Sequence, residues 1–353
     1  MILSKYPYLV QREILHNMEI SELLLLSFVS KNMKKLIKLS QMCRFSRISS
    51  VDYSSDPKGL TDVHIEFKHD YREHIMRIWE YEEADNDYFK LNVSGKIIDF
   101  RIHERYSYPV ASFHSYDKVS VIKSIHNYFL DFFGDSIEYW WKAVGYKHVV
   151  PQLQNVSASA IIFDTDKDFP IRKFENFFFS SPVFKNIELF FLTKPEPLNP
   201  DSKFYQAESV DIDQHEHTVP AILRHFQGRQ AFVRCHKCET LELKEFVDRW
   251  KSGESFRKLE YLEFNILHGR VNQNQLLNAI GAKHIDVTKT PPTHMLPKVF
   301  VSFGKKETTD PIISHTYVVR ESDNRVASVL FERRTFSFGV WDKTEEEFLE
   351  MVQ

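Results

Sequence analysis

The chain has 353 residues, 42% hydrophobic and 27% charged, with a net charge of -3. That is the composition of a globular protein long enough for two or three domains, and it gives no electrostatic footing for nucleic acid or an anionic membrane as the main partner. Three cysteines are too few for a disulfide framework and suit a reducing, intracellular compartment, cytoplasmic or nuclear. The two closest of its ten glycines are Gly134 and Gly145, which excludes the glycine-paired loops of dinucleotide folds, P-loops and nucleophile elbows.

At the N-terminus, "MILSKYPYLVQREIL" does not read as a secretory signal. Lys5, Gln11, Arg12 and Glu13 interrupt every apolar stretch. No segment offers the roughly 18 uncharged apolar residues of a membrane span. Residues 6–39 read instead as three helices. Leu9, Val10, Ile14, Leu15 and Met18 make an apolar stripe on the first, with Pro7 just before it, where a missing N–H costs nothing. Ser21 is a plausible N-cap of a second helix through Phe28, which carries the four-leucine run Leu23 to Leu26. Ser30 is a plausible cap of a third, with Met33, Leu36, Ile37 and Leu39 along one side. Three helices in so few residues make a very small core, so their apolar surface exceeds what they can bury against one another.

"SRISSVDYSSDPKGL" (46–60) reads as a linker, rich in serine with Pro57 and Gly59. Strand alternation follows in "TDVHIEFKH" and "YFKLNVSGKIIDFRIHE", with a hairpin tip at Val93 to Ile97. Residues 117–134 have helical periodicity, stopped by Gly134. Beyond about 145 the pattern changes. Strand-like runs at 157–163, 187–192, 208–212, 230–234 and 259–264 are interleaved with the helix-like segments "IRKFENFFFSS", "TVPAILRHFQG" and "LKEFVDRWKSG". One strand plus one helix, recurring roughly every 20 to 30 residues, is the form of a leucine-rich-repeat-like solenoid; a non-repetitive α/β layer fits the pattern equally well. Residues 286–298 form a proline-broken loop. A β-hairpin with its turn at Glu321 to Asn324 and a further strand occupy 314–341, and the acidic tail is a short helix or frayed end.

The stretch "YPYLVQREILHNMEISELLLLSFVSKNMKKLI" resembles an F-box. Pro7 stands at the proline of that motif. Leu9, Ile14, Leu15 and Met18 fall on the apolar positions of its first helix, and Glu22-Leu23-Leu24, Leu26, Val29-Ser30-Lys31 and Leu36-Ile37 follow its later run. Tyr6 replaces the usual leucine before the proline, and Met33 stands near a frequent tryptophan. "CETLELKEFVDRWKSGESFRKLEYLEF" resembles the F-box-associated domain (type 2) of the large nematode F-box family, through Thr240, Leu243, Phe246, Val247, Trp250, Gly253, Leu259, Glu260 and Leu262. "VVRESDNRVASVLF" resembles the closing hairpin of that domain, with Asn324 in place of a glycine.

The resemblance implies an α/β (α+β) chain: a three-helix F-box over 1–45, a linker over 46–60, β-hairpins plus a helix over 61–145, and an α/β repeat-like substrate-recognition domain over 146–353. It implies a substrate-recognition adaptor of an SCF-type ubiquitin ligase. The F-box would bind the Skp adaptor subunit, and through it cullin, by way of Pro7, Leu9, Ile14, Leu15, Leu23, Leu24, Leu26 and Ser30. The C-terminal region would bind a substrate protein. Neither a catalytic residue nor a cofactor is implied. A protein-interaction scaffold not engaged with cullin is the second reading.

Metal chemistry is the third. His215 and His217 together with Cys235-x-x-Cys238, which encloses His236, offer four ligands of zinc type, but a lone C-x-x-C is half a signature. Asp164, Asp166, Asp168 and Glu175 superficially resemble a calcium loop, yet Phe169 and Pro170 occupy the sharp turn that requires glycine.

Overall fold

A computed structural model describes residues 5–56, 58–68, 71–81, 87–105, 108–144, 151–163, 171–191, 198–214, 222–268, 271–301 and 305–352. The chain divides into two compact units, Met1–Ala158 and Ser159–Gln353, both mixtures of helix and strand.

The first unit opens with helices α1 (Tyr8–His16), α2 (Ile20–Val29), α3 (Lys31–Ser40) and the single turn α4 (Met42–Phe45). Strands β1 (Ile48–Ser55), β2 (Thr61–Phe67), β3 (Tyr71–Glu80), β4 (Phe89–Val93), β5 (Lys96–Ile102) and β6 (Pro109–Phe113) follow, then helix α5 (Lys118–Phe133) and strand β7 (Glu138–Val144). Their order in the sheet is β7-β1-β2-β3-β6-β5-β4. The pairs β1–β2, β2–β3, β4–β5 and β5–β6 are antiparallel, whereas β1–β7 and β3–β6 are parallel. At the expected hairpin tip, Ser94 and Gly95 have φ of 48° and 91°. Two successive left-handed residues twist the two-residue turn to match its strands, and glycine tolerates that conformation best.

The expected linker over 46–60 is corrected by the structure: Ile48–Ser55 is a full strand between β2 and β7. Val51 and Tyr53 are fully buried. Tyr53 stacks on Trp141 at 5.2 Å, packs against Phe129, and its hydroxyl lies 2.8 Å from Nδ1 of His126 on α5. Successive side chains of a strand point to opposite faces, so Ser50 and Asp52 lie on the other side of the sheet. Alternation was present, but serine made it look like a linker.

β8 (Val156–Phe163) runs across the division between the units. The second unit continues with α6 (Ile171–Ser180), β9 (Asn186–Phe191), β10 (Ser209–Gln214), α7 (Ile222–His225), β11 (Gln230–Cys235), α8 (Thr240–Lys251), β12 (Tyr261–Ile266) and α9 (Gln273–Ala279). Strands β9, β10, β11 and β12 are parallel neighbours in sequence order, the arrangement that strand–helix alternation favours. α7 is only one turn, shorter than the helix expected over 218–228, and residues 215–221 lie outside the described residues. Just beyond it, Gly228 passes so close to the backbone that a Cβ would sit 2.0 Å from the carbonyl oxygen of Ala207.

Leu243, Phe246, Val247 and Trp250 form the buried face of α8. Trp250 meets Phe338 edge-on and lies under the Arg320 guanidinium. The small strands β13 (Lys283–His284), β14 (Thr293–His294) and β15 (Ile312–Ile313) precede the C-terminal β16 (Thr316–Val319), β17 (Arg325–Glu332) and β18 (Thr335–Thr344), and α10 (Glu345–Glu350) ends the described chain. β18 pairs antiparallel with β12. The turn expected at Glu321 to Asn324 is present: Asn324 has φ 56° and its N–H donates to the Arg320 carbonyl.

If β1 is a core strand, Tyr53→Ala is expected to cost about 3–5 kcal/mol in urea denaturation, the range for deleting a buried ring. A linker residue would change stability by less than about 0.5 kcal/mol.

Candidate functional site: the N-terminal helical face

The N-terminal helices are held by local caps and by the sheet behind them. Pro7 occupies the N-cap position of α1. α2 starts at Ile20, one residue before the expected cap Ser21. A capping box takes that role: the Glu19 N–H donates to Glu22 Oε2 at 2.9 Å, and the Glu19 side chain accepts in return. Ser30 caps α3 as expected, its Oγ accepting from the Met33 N–H at 3.1 Å.

Glu73 on β3 ties these helices down. It accepts from the Ile20 N–H at 2.7 Å and from Arg44 at 3.3 Å, while Arg44 also donates to the Met18 carbonyl at 2.7 Å. Phe28 packs on Tyr128 and Phe100 at 4.4 and 5.5 Å. The Tyr128 hydroxyl donates to Ser27 Oγ at 2.7 Å, and Lys34 on α3 pairs with Asp131 on α5.

Consequently the eight residues expected at the interface fall into three groups. Leu15, Leu23 and Leu24 are fully buried within the chain, so in this conformation they hold the helices together rather than meet a partner. Ile14 and Leu26 are half-buried. Pro7, Leu9 and Ser30 are exposed, Leu9 at 74%. Sequence reasoning did not single out Tyr8, and named Tyr6, Val10 and Val29 only for their places in the motif or the stripe; all four are exposed, Val29 at 69%. Successive helical residues are about 100° apart, so exposure of Tyr8, Leu9 and Val10 together means that the first turn of α1 projects free on most of its circumference. The signal was in the sequence: three consecutive apolar residues cannot share one buried stripe.

A second polar cluster was missed because its members come from three strands. Ser50 and Asp52 on β1, Asp62, His64 and Glu66 on β2, and Arg72, His74 and Arg77 on β3 lie side by side by register. Ser50 Oγ donates to Asp52 at 2.7 Å and approaches Glu66 at 3.4 Å, while Arg72 stands 3.9 Å from both carboxylates. Burial, reinforced by Glu66, pushes the Asp52 carboxyl well above its ordinary range. Burial also lowers His64 to about 3, with Arg72 and His74 acting in the same direction. For Asp62, burial is outweighed by hydrogen bonds from His74 and Arg77, which hold it at about 2. At 2% and 7% exposure, neither Asp52 nor Glu66 is open to a substrate.

The candidate metal residues divide differently. Cys235 and Cys238 are buried. Burial pushes the Cys235 thiol up to about 12 and raises Cys238 further, which favours neutral thiols over metal-binding thiolates. His215, His217, Asp164, Asp166 and Asp168 lie outside the described residues. Glu175 accepts from the Asn199 N–H at 2.9 Å. Among the described residues, no three side chains of metal-ligating type gather at one point, and no helix is long and apolar enough to cross a membrane.

Residues 7–49 match the F-box domain family. No curated protein and no solved structure matches the chain. The F-box is a protein-interaction module typical of substrate adaptors in SCF ubiquitin ligases; it generally binds the Skp adaptor, and its bearers are generally adaptors rather than enzymes. The matched residues run from Pro7 through α1 to α4 to the first two residues of β1, Ile48 and Ser49, so the module ends inside the sheet of its own unit.

The cluster on β1 to β3 gives opposed pH windows. His64 has a depressed folded value, so its stabilising contribution is present above the unfolded value of about 6.5 and is lost as pH falls from there towards 3. Asp52 has a raised one, so its contribution is present below about 3.8 and is lost as pH rises. His64→Gln is therefore expected to flatten the loss of stability between pH 6.5 and 4, and Asp52→Asn to stabilise more at pH 7 than at pH 4. Urea titrations of both variants at these pH values check the two signs.

Proposed function

We propose that this protein is a substrate-recognition subunit of an SCF-type ubiquitin ligase. Its N-terminal face docks on the Skp adaptor and through it on cullin, and the region 146–353, which we read as an F-box-associated domain of type 2, holds a substrate protein. The observation that carries this is the uncovered first turn of α1, Tyr8 to Val10 with Leu9 at its crest, inside a segment that matches the F-box. Spaced apolar anchors on a helix are the usual means of helical docking, and a patch of this kind on a soluble chain marks an interaction site. Within the expected set, Pro7, Leu9, Ile14, Leu26 and Ser30 make the direct contacts. Leu15, Leu23 and Leu24 support them from beneath.

The mechanism is tethering. Holding the substrate and a charged conjugating enzyme on one scaffold raises their effective concentration and presents lysines for transfer, with no covalent step on this chain.

The test is co-purification with the Skp adaptor. Wild-type protein is expected to retain it, and Leu9→Asp to weaken retention about tenfold or more, as loss of a central anchor does, without changing the thermal transition. Leu15→Asp is expected to unfold the first unit, because it places a charge where no water reaches. Equal retention by wild type and Leu9→Asp would contradict the docking face.

A further inference from the structure

Between β13 and β16 the chain leaves the main sheet as a narrow ribbon, in which β14 pairs with β15 and Pro297 bridges Thr308. Proline fixes its own φ and biases the residue before it to extended backbone, so the segment around Pro297 cannot coil. His294 clasps the ribbon to β18: its Nε2 donates to the Val340 carbonyl at 3.0 Å, and its ring meets Trp341 edge-on at 4.9 Å. The ring lies so close to Gly339 that a Cβ there would stand 2.6 Å from Nδ1.

Gln230 on β11 is 1% exposed and commits both ends of its amide to the ribbon's backbone. Nε2 donates to the Pro297 carbonyl at 2.8 Å, and Oε1 accepts from the Val299 N–H at 2.9 Å. In extended backbone the carbonyl before a residue and the N–H after it point the same way, so this amide reads a strand centred on Lys298, as a neighbouring strand would. The Lys298 N–H turns the other way, to the Glu307 carbonyl at 2.8 Å. Its ammonium stands over the Phe232 ring at 5.0 Å, and Phe232 lies in register between Asp211 on β10 and Glu263 on β12. Burial raises both carboxyls, and Lys298 is among the cations that pull against it. The outer side of the ribbon is open, with Met295 51% exposed and Pro297 exposed. Residues 302–304 lie outside the described residues and carry no charged side chain.

We propose that Gln230, Phe232, Asp211 and Glu263 form a peptide site that the ribbon fills in cis, and that an extended substrate segment with a basic residue between apolar neighbours takes it when the ribbon lifts. A buried amide left without partners is costly, so the site requires extended backbone of one source or another. An aromatic ring flanked by carboxylates selects a cationic side chain, and the same carboxylates repel the phosphates of nucleic acid. This inference rests on the reading that residues 146–353 hold a substrate protein, and it names what that substrate presents.

The test is fluorescence anisotropy of the full chain with a labelled peptide of the sequence of residues 293–300. The tethered ribbon competes at an effective concentration of about a millimolar, so wild type is expected to bind the peptide weakly. His294→Ala, which opens the clasp, is expected to bind it at least about tenfold tighter, and Gly339→Ala, which crowds the ring out, is expected to do the same. In the His294→Ala background, adding Gln230→Ala is expected to weaken binding about tenfold. A peptide with Lys298 replaced by glutamate is expected to lose about as much, and one with norleucine there severalfold. Wild type provides a reading that needs no variant: excess peptide is expected to speed hydrogen exchange of its own Lys298 and Val299 amides. Unchanged exchange in wild type, no gain in either opened variant that keeps a cooperative thermal transition, equal affinity for the lysine and glutamate peptides, or a ribbon-exchanged dimer that excludes the peptide would overturn the proposal. A substrate held elsewhere on residues 146–353 would leave the adaptor reading intact while the peptide fails to bind, and Skp retention is expected to be the same in all these variants.

Discussion

The fold of the first unit depends on the contact of α2 with the sheet and with α5. Phe28 lies against Phe100 and Tyr128, Ser27 accepts from the Tyr128 hydroxyl, and Glu73 holds the N-terminus of α2 through the Ile20 amide. Buried polar groups persist when their partners are in place, and here the hydroxyl–hydroxyl bond and the carboxylate–amide bond fix the helix at both ends. Because α2 is covered by its own chain, the apolar surface left over belongs to α1, to the ends of α2 and α3 and to the start of α4: Leu9, Val29, Leu39 and Met42. The helical segment is therefore part of a larger core and still presents a free edge.

The four-leucine run illustrates how little a run reveals by itself. Leu23 and Leu24 are fully buried, while Leu25 and Leu26 are half-buried. Periodicity shows that such residues face different sides of a helix; it cannot say whether the cover is the same chain or another one. The answer came from Phe100, Tyr128 and Glu73, whose bonds to α2 span from 53 positions (Ile20 to Glu73) to 101 (Ser27 to Tyr128). That is why the eight residues named from the sequence include both buried and exposed ones.

Local patterning was legible where one face of an element is apolar and the other charged. α5, α8, the β4–β5 hairpin and the run of parallel strands from β9 to β12 fall where their periodicities place them. β1 was missed because Ser49, Ser50, Ser54 and Ser55 surround the buried apolar residues Ile48, Val51 and Tyr53, so composition outweighed alternation. The cluster of Asp52, His64, Glu66, Arg72 and His74 was invisible for a different reason: its members meet only through strand register.

The central claim is that the N-terminal module meets its partner through α1 while α2 remains sealed by the sheet. Hydrogen exchange of the full chain with and without purified Skp adaptor tests this most directly. First-turn amides of a helix lack intrahelical partners and exchange readily when exposed. The account predicts that the adaptor slows exchange in the first turns of α1 and leaves the already slow amides of α2 unchanged. Unaltered exchange at α1, or protection gained only within α2, would contradict it.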